Sequence, residues 1–263
     1  MKSPRARAEP QAENQARPRF IHQSTLAFTS CNKTTYISAS TSTKIHSLSQ
    51  GSNHLPRNLL EVTHINMSAN ALIDSLKSAK LLPSAIIPES FTPALDLSVK
   101  FSSGLAPEHG SLARVSQVKE QPIISISSPP TSSAATYTFM MIDPDAPTPD
   151  DPKFGYWRHW VVAAIPSPSA TTSPDDITTR GKTLTQYLAP GPKDESGPHR
   201  YLFLLFEESA GESLEKADVG GEEFVERRSF RAEELAAKKG LKLVGVQWMR
   251  GVGDGWKGEK DEL

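Results

Sequence analysis

The chain has 263 residues, a formal charge of −1 from 29 basic and 30 acidic side chains, and a hydrophobic content of only 37%. The near-neutral balance excludes a general nucleic-acid binder, which needs a net basic surface to displace counterions; the single cysteine, Cys31, excludes an internal disulfide; and no run reaches the roughly 18 apolar residues that a membrane helix needs. The length allows one large domain or two small ones, and 21 prolines and 16 glycines favour turns and short strands.

Residues 1–66 read as a disordered extension, rich in Ser, Thr, Asn and Gln and without a sustained apolar period. Its charges are mostly basic, Arg5, Arg7, Arg17 and Arg19 among them, a composition shared with mitochondrial transit peptides, and Met67 offers an alternative start. No apolar core of the kind a secretory signal carries interrupts it. The expected location is therefore cytoplasmic, with the mitochondrion as the alternative. The chain ends in Lys260-Asp261-Glu262-Leu263, the endoplasmic-reticulum retention tetrapeptide, which without a secretory signal reads as coincidence.

The folded domain is expected over 67–250, with 251–263 as a flexible C-terminal tail. Ser68 can cap a helix that puts Leu72, Ile73, Leu76 and Ala79 on one face, and Pro83 ends it. Leu95, Leu97, Val99 and Phe101 alternate with polar residues as in a half-buried strand. Ile124 and Ile126 mark a second strand, and Tyr137 to Ile142 a third. Trp157 to Ile165 and His199 to Phe206 are apolar on both faces, as expected of strands lying between layers. Ser209 to Arg228 reads as a solvated charged loop, Phe230 to Lys239 as a helix stopped by Gly240, and Leu241 to Trp248 as a last strand. The expected architecture is mainly β: a two-sheet antiparallel β-sandwich with short peripheral helices.

Three segments carry groups with chemical potential. Asp143-Pro144-Asp145-Ala146-Pro147 follows an apolar strand, and two carboxylates so close need donors or cations to serve them. Trp157 and His159 share a strand face, as do His199 and Tyr201. Pro190-Gly191-Pro192 is a rigid loop whose glycine lets a ligand approach the backbone. A histidine held by a carboxylate tends to stay protonated and can donate to a phosphate, while an aromatic wall covers the rest of the ligand. The set suits a phosphate-bearing small ligand or a phospholipid head group. The rival is a metal-dependent hydrolase using Asp143, Asp145, His159 and His199, ligand types suited to a divalent cation, but no His-Glu-x-x-His or similar metal spacing, nucleophile elbow or phosphate loop occurs. The expectation is a protein without catalytic residues, cofactor or metal.

In this order, Tyr-Thr-Phe-Met-Met-Ile-Asp-Pro-Asp-Ala-Pro (137–147), Asp-Pro-Lys-Phe-Gly-Tyr-Trp-Arg-His-Trp (151–160) and Gly-Pro-His-Arg-Tyr (197–201) resemble the phosphatidylethanolamine-binding-protein family. The likeness spans roughly Met67 to Met249, and the ending Leu243 to Trp248 resembles fungal members, the carboxypeptidase Y inhibitors among them. It implies a β-sandwich with an anion pocket at one end, lined by Asp143, Asp145, Trp157, His159, Gly191 and His199, with Pro192 and Tyr201 nearby. Phe154 stands where many members have a pocket tyrosine, and Ala189 where a glycine is frequent. The resemblance implies three functions: head-group binding, serine carboxypeptidase inhibition, or docking to a kinase partner. The pocket residues are common to all three.

Overall fold

The computed structural model describes residues 57–126, 134–167 and 175–258, with the backbone alone for residues 57–67. The expectations for residues 1–56, including Cys31, and for the terminal tetrapeptide lie outside the described residues. The elements follow in the order α1 (Arg57–Ser78), β1 (Leu97–Lys100), β2 (Leu112–Arg114), β3 (Ile123–Ile126), β4 (Thr136–Asp143), β5 (Trp157–Pro166), β6 (Lys182–Thr185), β7 (His199–Glu207), α2 (Lys216–Val219), α3 (Ala232–Lys238) and β8 (Lys242–Val252).

One sheet has six strands in the order β2-β8-β7-β4-β5-β6, and β1 pairs with β3 in a second, two-stranded sheet. All pairs are antiparallel except β2 with β8, which is parallel. The central strands are mostly apolar because both their faces are covered. Along β7, Leu202, Leu204 and Phe206 join Leu72 and Leu76 of α1 and Leu235 of α3 in one core. The alternate residues Tyr201, Phe203 and Leu205 join Leu97, Val99 and Ile124 of the small sheet in the other. The period-two rule thus assigns each residue of β7 to one of two cores.

Three expectations need correction. The 66/67 boundary falls inside α1, so Ser68 is an interior residue and not its cap, and the helix stops at Ser78, before Pro83. The end of the domain extends past 250: β8 runs to Val252, Arg114 Nη1 donates to the carbonyls of Gly253, Asp254 and Trp256, and Gly255 N–H donates to Asp194 at 2.9 Å. These bonds tie down residues that composition alone marked as a flexible tail. The 209–228 segment is not merely a solvated loop; it contains α2 and the buried Arg227. The mainly β, two-sheet sandwich is as expected, with β2–β8 its one parallel pair among the described strands.

Candidate functional site

β4 ends, and β5 and β7 begin, at the same end of the six-stranded sheet, because both neighbours run antiparallel to β4. Asp143, Trp157 and His199 therefore meet at one edge. They line a cavity of about 560 Å³ together with His159, Tyr201, Gly191, Pro192, Phe154, Leu188 and Phe224.

Its floor is polar. His199 Nδ1–H donates to Asp143 Oδ2 at 2.9 Å, and both side chains are buried. The other carboxylate oxygen of Asp143 accepts the Asp145 N–H at 2.6 Å, which closes the turn after β4. This bonding orients the His199 ring and leaves its Nε2 buried without a hydrogen-bond partner among the described residues. A buried polar atom without a partner costs free energy unless a ligand serves it.

His159 reaches the same cavity by a different route. Met141 pairs with Trp160 and Ile142 with Arg158, so His159 is the extra residue of a β-bulge in β5. A bulge re-aims side chains and is common beside functional sites. It lets His159 line the cavity while its neighbour Trp160 packs into the core beneath. His159 Nδ1 lies 2.7 Å from the Leu188 carbonyl, which only accepts, so that nitrogen carries a proton. Burial pushes the His159 pKa below its ordinary value, more strongly than the Asp143 charge and the Leu188 bond raise it. The histidine that a carboxylate holds is His199; at His159 loss of hydration outweighs the nearby carboxylate.

Tyr201 sits against both imidazoles, 5.3 Å from His159 edge-on and 6.3 Å from His199 nearly parallel, measured between ring centres. Burial, then the charges of Asp143 and Asp145, holds its hydroxyl well above its ordinary pKa, so it stays protonated. A glycine makes room for this ring. A Cβ on Gly251, opposite His199 in β8, would meet Tyr201 Cε2 at 2.5 Å.

Asp145 is the one expected site residue that the cavity does not include. Its carboxylate turns to Arg200, accepting the backbone N–H at 2.7 Å, Nε at 2.8 Å and Nη2 at 2.5 Å. Arg200 Nη1 then donates to the Ala79 carbonyl just past α1. Arg200 alternates with His199 and Tyr201, so it points away from the cavity and takes Asp145 with it. The two aspartates therefore serve different partners, one the histidine and the other the arginine.

The outer wall was not foreseen. Phe224 packs edge-on against Trp157 with 4.6 Å between ring centres, although it is 67% exposed. Its segment is clamped by Arg227, which donates from Nη1 to the carbonyls of His159 at 3.1 Å and Gln186 at 3.0 Å, and from Nη2 to Glu222 at 3.2 Å. Glu222 also accepts the Gln186 N–H at 2.8 Å and pairs with Lys216. Beside this clamp the buried Arg158 falls to a pKa of about 10, from burial and then the like charge of Arg227. The sequence signal was faint: an apolar Phe224-Val225 pair inside an otherwise charged stretch. Phe154 lines the cavity, with the Arg228 guanidinium 4.8 Å from its ring centre. Among the described residues, no group of three or more His, Cys, Asp or Glu side chains is placed to hold a metal ion.

Fold and site together define a β-sandwich module with a histidine-floored, aromatic-walled cavity at one end. The model of the phosphatidylethanolamine-binding protein family matches residues 89–242, more than half of the chain. The carboxypeptidase Y inhibitor of Saccharomyces cerevisiae is 30% identical over 166 residues, 54% of this chain and 76% of that protein. The chain belongs to the phosphatidylethanolamine-binding protein family. A Drosophila melanogaster relative named for odorant binding is 32% identical over 126 residues, and the match spans only 55% of its length and 47% of this chain. Among solved structures, the phosphatidylethanolamine-binding protein from Plasmodium vivax is 26% identical with a TM-score of 0.55, over 69% of this chain and 97% of its own. A carboxypeptidase Y inhibitor, solved in complex with its cognate proteinase, shares the fold with a TM-score of 0.60 at 24% identity, over 71% of this chain and 97% of its own.

Proposed function

We propose that this chain is a non-catalytic module that binds a phosphate-bearing small ligand or phospholipid head group in the cavity floored by His159 and His199. The observation that carries this reading is the His199 Nε2 atom, buried at the floor, oriented by Asp143 and without a hydrogen-bond partner among the described residues. With Nδ1–H on Asp143, Nε2 either donates to a phosphate oxygen or accepts from a phosphate hydroxyl, according to which partner holds the proton. Gly191 leaves the backbone of the neighbouring loop open to a ligand, since a Cβ there would meet nothing within 4 Å. The contacts of the aspartates favour binding over a hydrolase built on Asp143, Asp145, His159 and His199. Both oxygens of Asp143 already serve protein donors, and Asp145 is held by Arg200 outside the cavity.

Calorimetry with phosphoethanolamine, with and without a chelator, tests this reading. Binding that survives the chelator is expected. Binding abolished by it would return the metal-hydrolase reading.

A second reading, inhibition of a serine carboxypeptidase, is supported by the 30% identity to the yeast carboxypeptidase Y inhibitor over three quarters of that protein. Residual activity of a serine carboxypeptidase, measured against the full chain and against a chain starting at Arg57, tests it. No inhibition by either removes this reading and leaves the ligand, with a kinase or other signalling partner, as the function to pursue.

A further inference from the structure

A second cavity, of about 460 Å³, lies on the other face of the six-stranded sheet, where Arg200, Arg250, His109, Trp248 and Pro198 meet the end of α1 at Ser78. Alternation puts it there. Along β7, His199 and Tyr201 face the first cavity and Arg200 faces the second. In β8, Arg250 stands directly opposite Arg200, and Trp248 shares its face. Two like charges facing each other across a strand pair are unfavourable unless something offsets them.

Among the described residues only one of the two is offset. Asp145 holds Arg200 through Nε at 2.8 Å and Nη2 at 2.5 Å, and Arg200 Nη1 donates to the Ala79 carbonyl. Arg250 donates from Nε to the Gly110 carbonyl at 2.9 Å. Its two terminal amino groups have no hydrogen-bond or ion-pair partner among the described residues, although the side chain is only partly exposed. The His109 imidazole is likewise without a partner there; only its backbone N–H is bonded, to Gln247. The serine hydroxyls are already taken, Ser75 by the Leu72 carbonyl and the Trp248 indole, Ser78 by the Asp74 carbonyl. No carboxylate among the described residues lines the cavity.

Such a lining suits an oxyanion. The terminal amino groups of Arg250 form a planar fork that matches two oxygens of one group. The charge left over chooses among oxyanions. Two guanidinium charges less the Asp145 carboxylate leave one, which a carboxylate neutralises and a phosphate dianion exceeds. The volume falls within the range of small-molecule pockets and is far larger than a bare ion needs, so the carboxylate comes with an organic group, bordered by Trp248 and Pro198. We propose that this cavity is a second ligand site, separate from the histidine-floored one, and that it takes an organic acid by its carboxylate on Arg250. The proposal stands independently of the head-group reading.

The test follows the NMR signals of the isotope-labelled full chain while N-acetylglycylleucine, its C-terminal amide, butyrate or inorganic phosphate is added. The peptide acid should bind about tenfold or more tightly than the amide, the scale of a charge-assisted two-bond contact. It should shift the Gly110 N–H and the Trp248 indole N–H, and butyrate should shift the same signals. In Arg250→Gln the acid-to-amide ratio should fall to about two or less, because the fork's charge is gone. The variant should keep a native-like Tm, since it also removes a charge opposite Arg200. Should it fail to fold, Arg250→Lys keeps the charge without the fork and should still cut the ratio by about threefold or more. A native ratio near one, or shifts confined to the first cavity, overturns the site. A high ratio that persists in the variants overturns its placement on Arg250. Phosphate that shifts the same signals more tightly than butyrate overturns the carboxylate assignment.

Discussion

His199 and Asp143 form a buried pair, Nδ1 to Oδ2 at 2.9 Å, in which each side chain is only 4% exposed. The pair ties the start of β7 to the end of β4, and Asp143 also accepts the N–H that closes the following turn. Replacing Asp143 with Ala removes acceptors from two buried donors at once, and should cost about 2–4 kcal/mol. His199→Ala strands one carboxylate oxygen and should cost less, roughly 1–3 kcal/mol, while weakening phosphate binding more than its stability loss explains. Urea denaturation ranks the two variants. An Asp143→Ala protein as stable as the native one would show that the carboxylate is not the anchor described.

Two glycines near the cavity should respond oppositely to the same substitution. A Cβ on Gly191 meets open space, so Gly191→Ala should leave stability within about 0.5 kcal/mol of native yet weaken head-group binding by intruding on the ligand's path. A Cβ on Gly251 would overlap the Tyr201 ring, so Gly251→Ala should destabilise by about 1–3 kcal/mol. Melting temperatures and phosphoethanolamine titrations on the two proteins separate these effects. Equal losses of stability would contradict the geometry.

His159 gives the fold an acid sensitivity whose sign follows from its lowered pKa. Below the ordinary histidine value of about 6.5 the unfolded chain takes up a proton that the buried ring resists. The unfolded state then binds more protons, and stability must fall as pH drops below about 6.5, until the folded-state pKa is passed. His159→Asn, which keeps an N–H for the Leu188 carbonyl, should flatten that part of the profile. The native-minus-variant difference in unfolding free energy, followed from pH 8 downward, isolates it from other titrating groups. A difference that does not change with pH would count against the assignment.

Arg227 should matter more than a residue of a charged loop ordinarily does. It is 6% exposed and bonds to the carbonyls of His159 and Gln186 and to Glu222. Arg227→Met should destabilise by about 2–4 kcal/mol and free the 209–228 segment, visible as faster amide exchange and proteolysis there. Exchange confined to its native rate in that segment would mean the clamp is not what orders it.

The division between what composition and pattern determine and what packing decides runs through particular residues. The strands β4, β5 and β7 were legible because long apolar runs between turns have few alternatives, and strand alternation correctly put Trp157 with His159 and His199 with Tyr201. The start of α1 is written in the sequence too, since Leu59, Val62 and Ile65 lead at three-residue steps into the stripe of Ala69, Leu72 and Leu76, but the long polar stretch before them hides how short the stripe's extension is. The fate of Asp145 required Arg200 to be seen turning its guanidinium away from the cavity, a choice made by alternation in β7 together with the turn at Pro144.

Local pattern already places the histidines on their strands, with their aromatic companions and a carboxylate close by. Packing decided that Asp143 and not Asp145 holds His199, that a bulge brings both His159 and Trp160 to one side of β5, and that burial holds the His159 pKa below its ordinary value. The reason is physical. Strand pattern and residue type are local, whereas register, burial and the partner of a charge are properties of segments far apart in the chain that meet only when both faces of the sheet are covered.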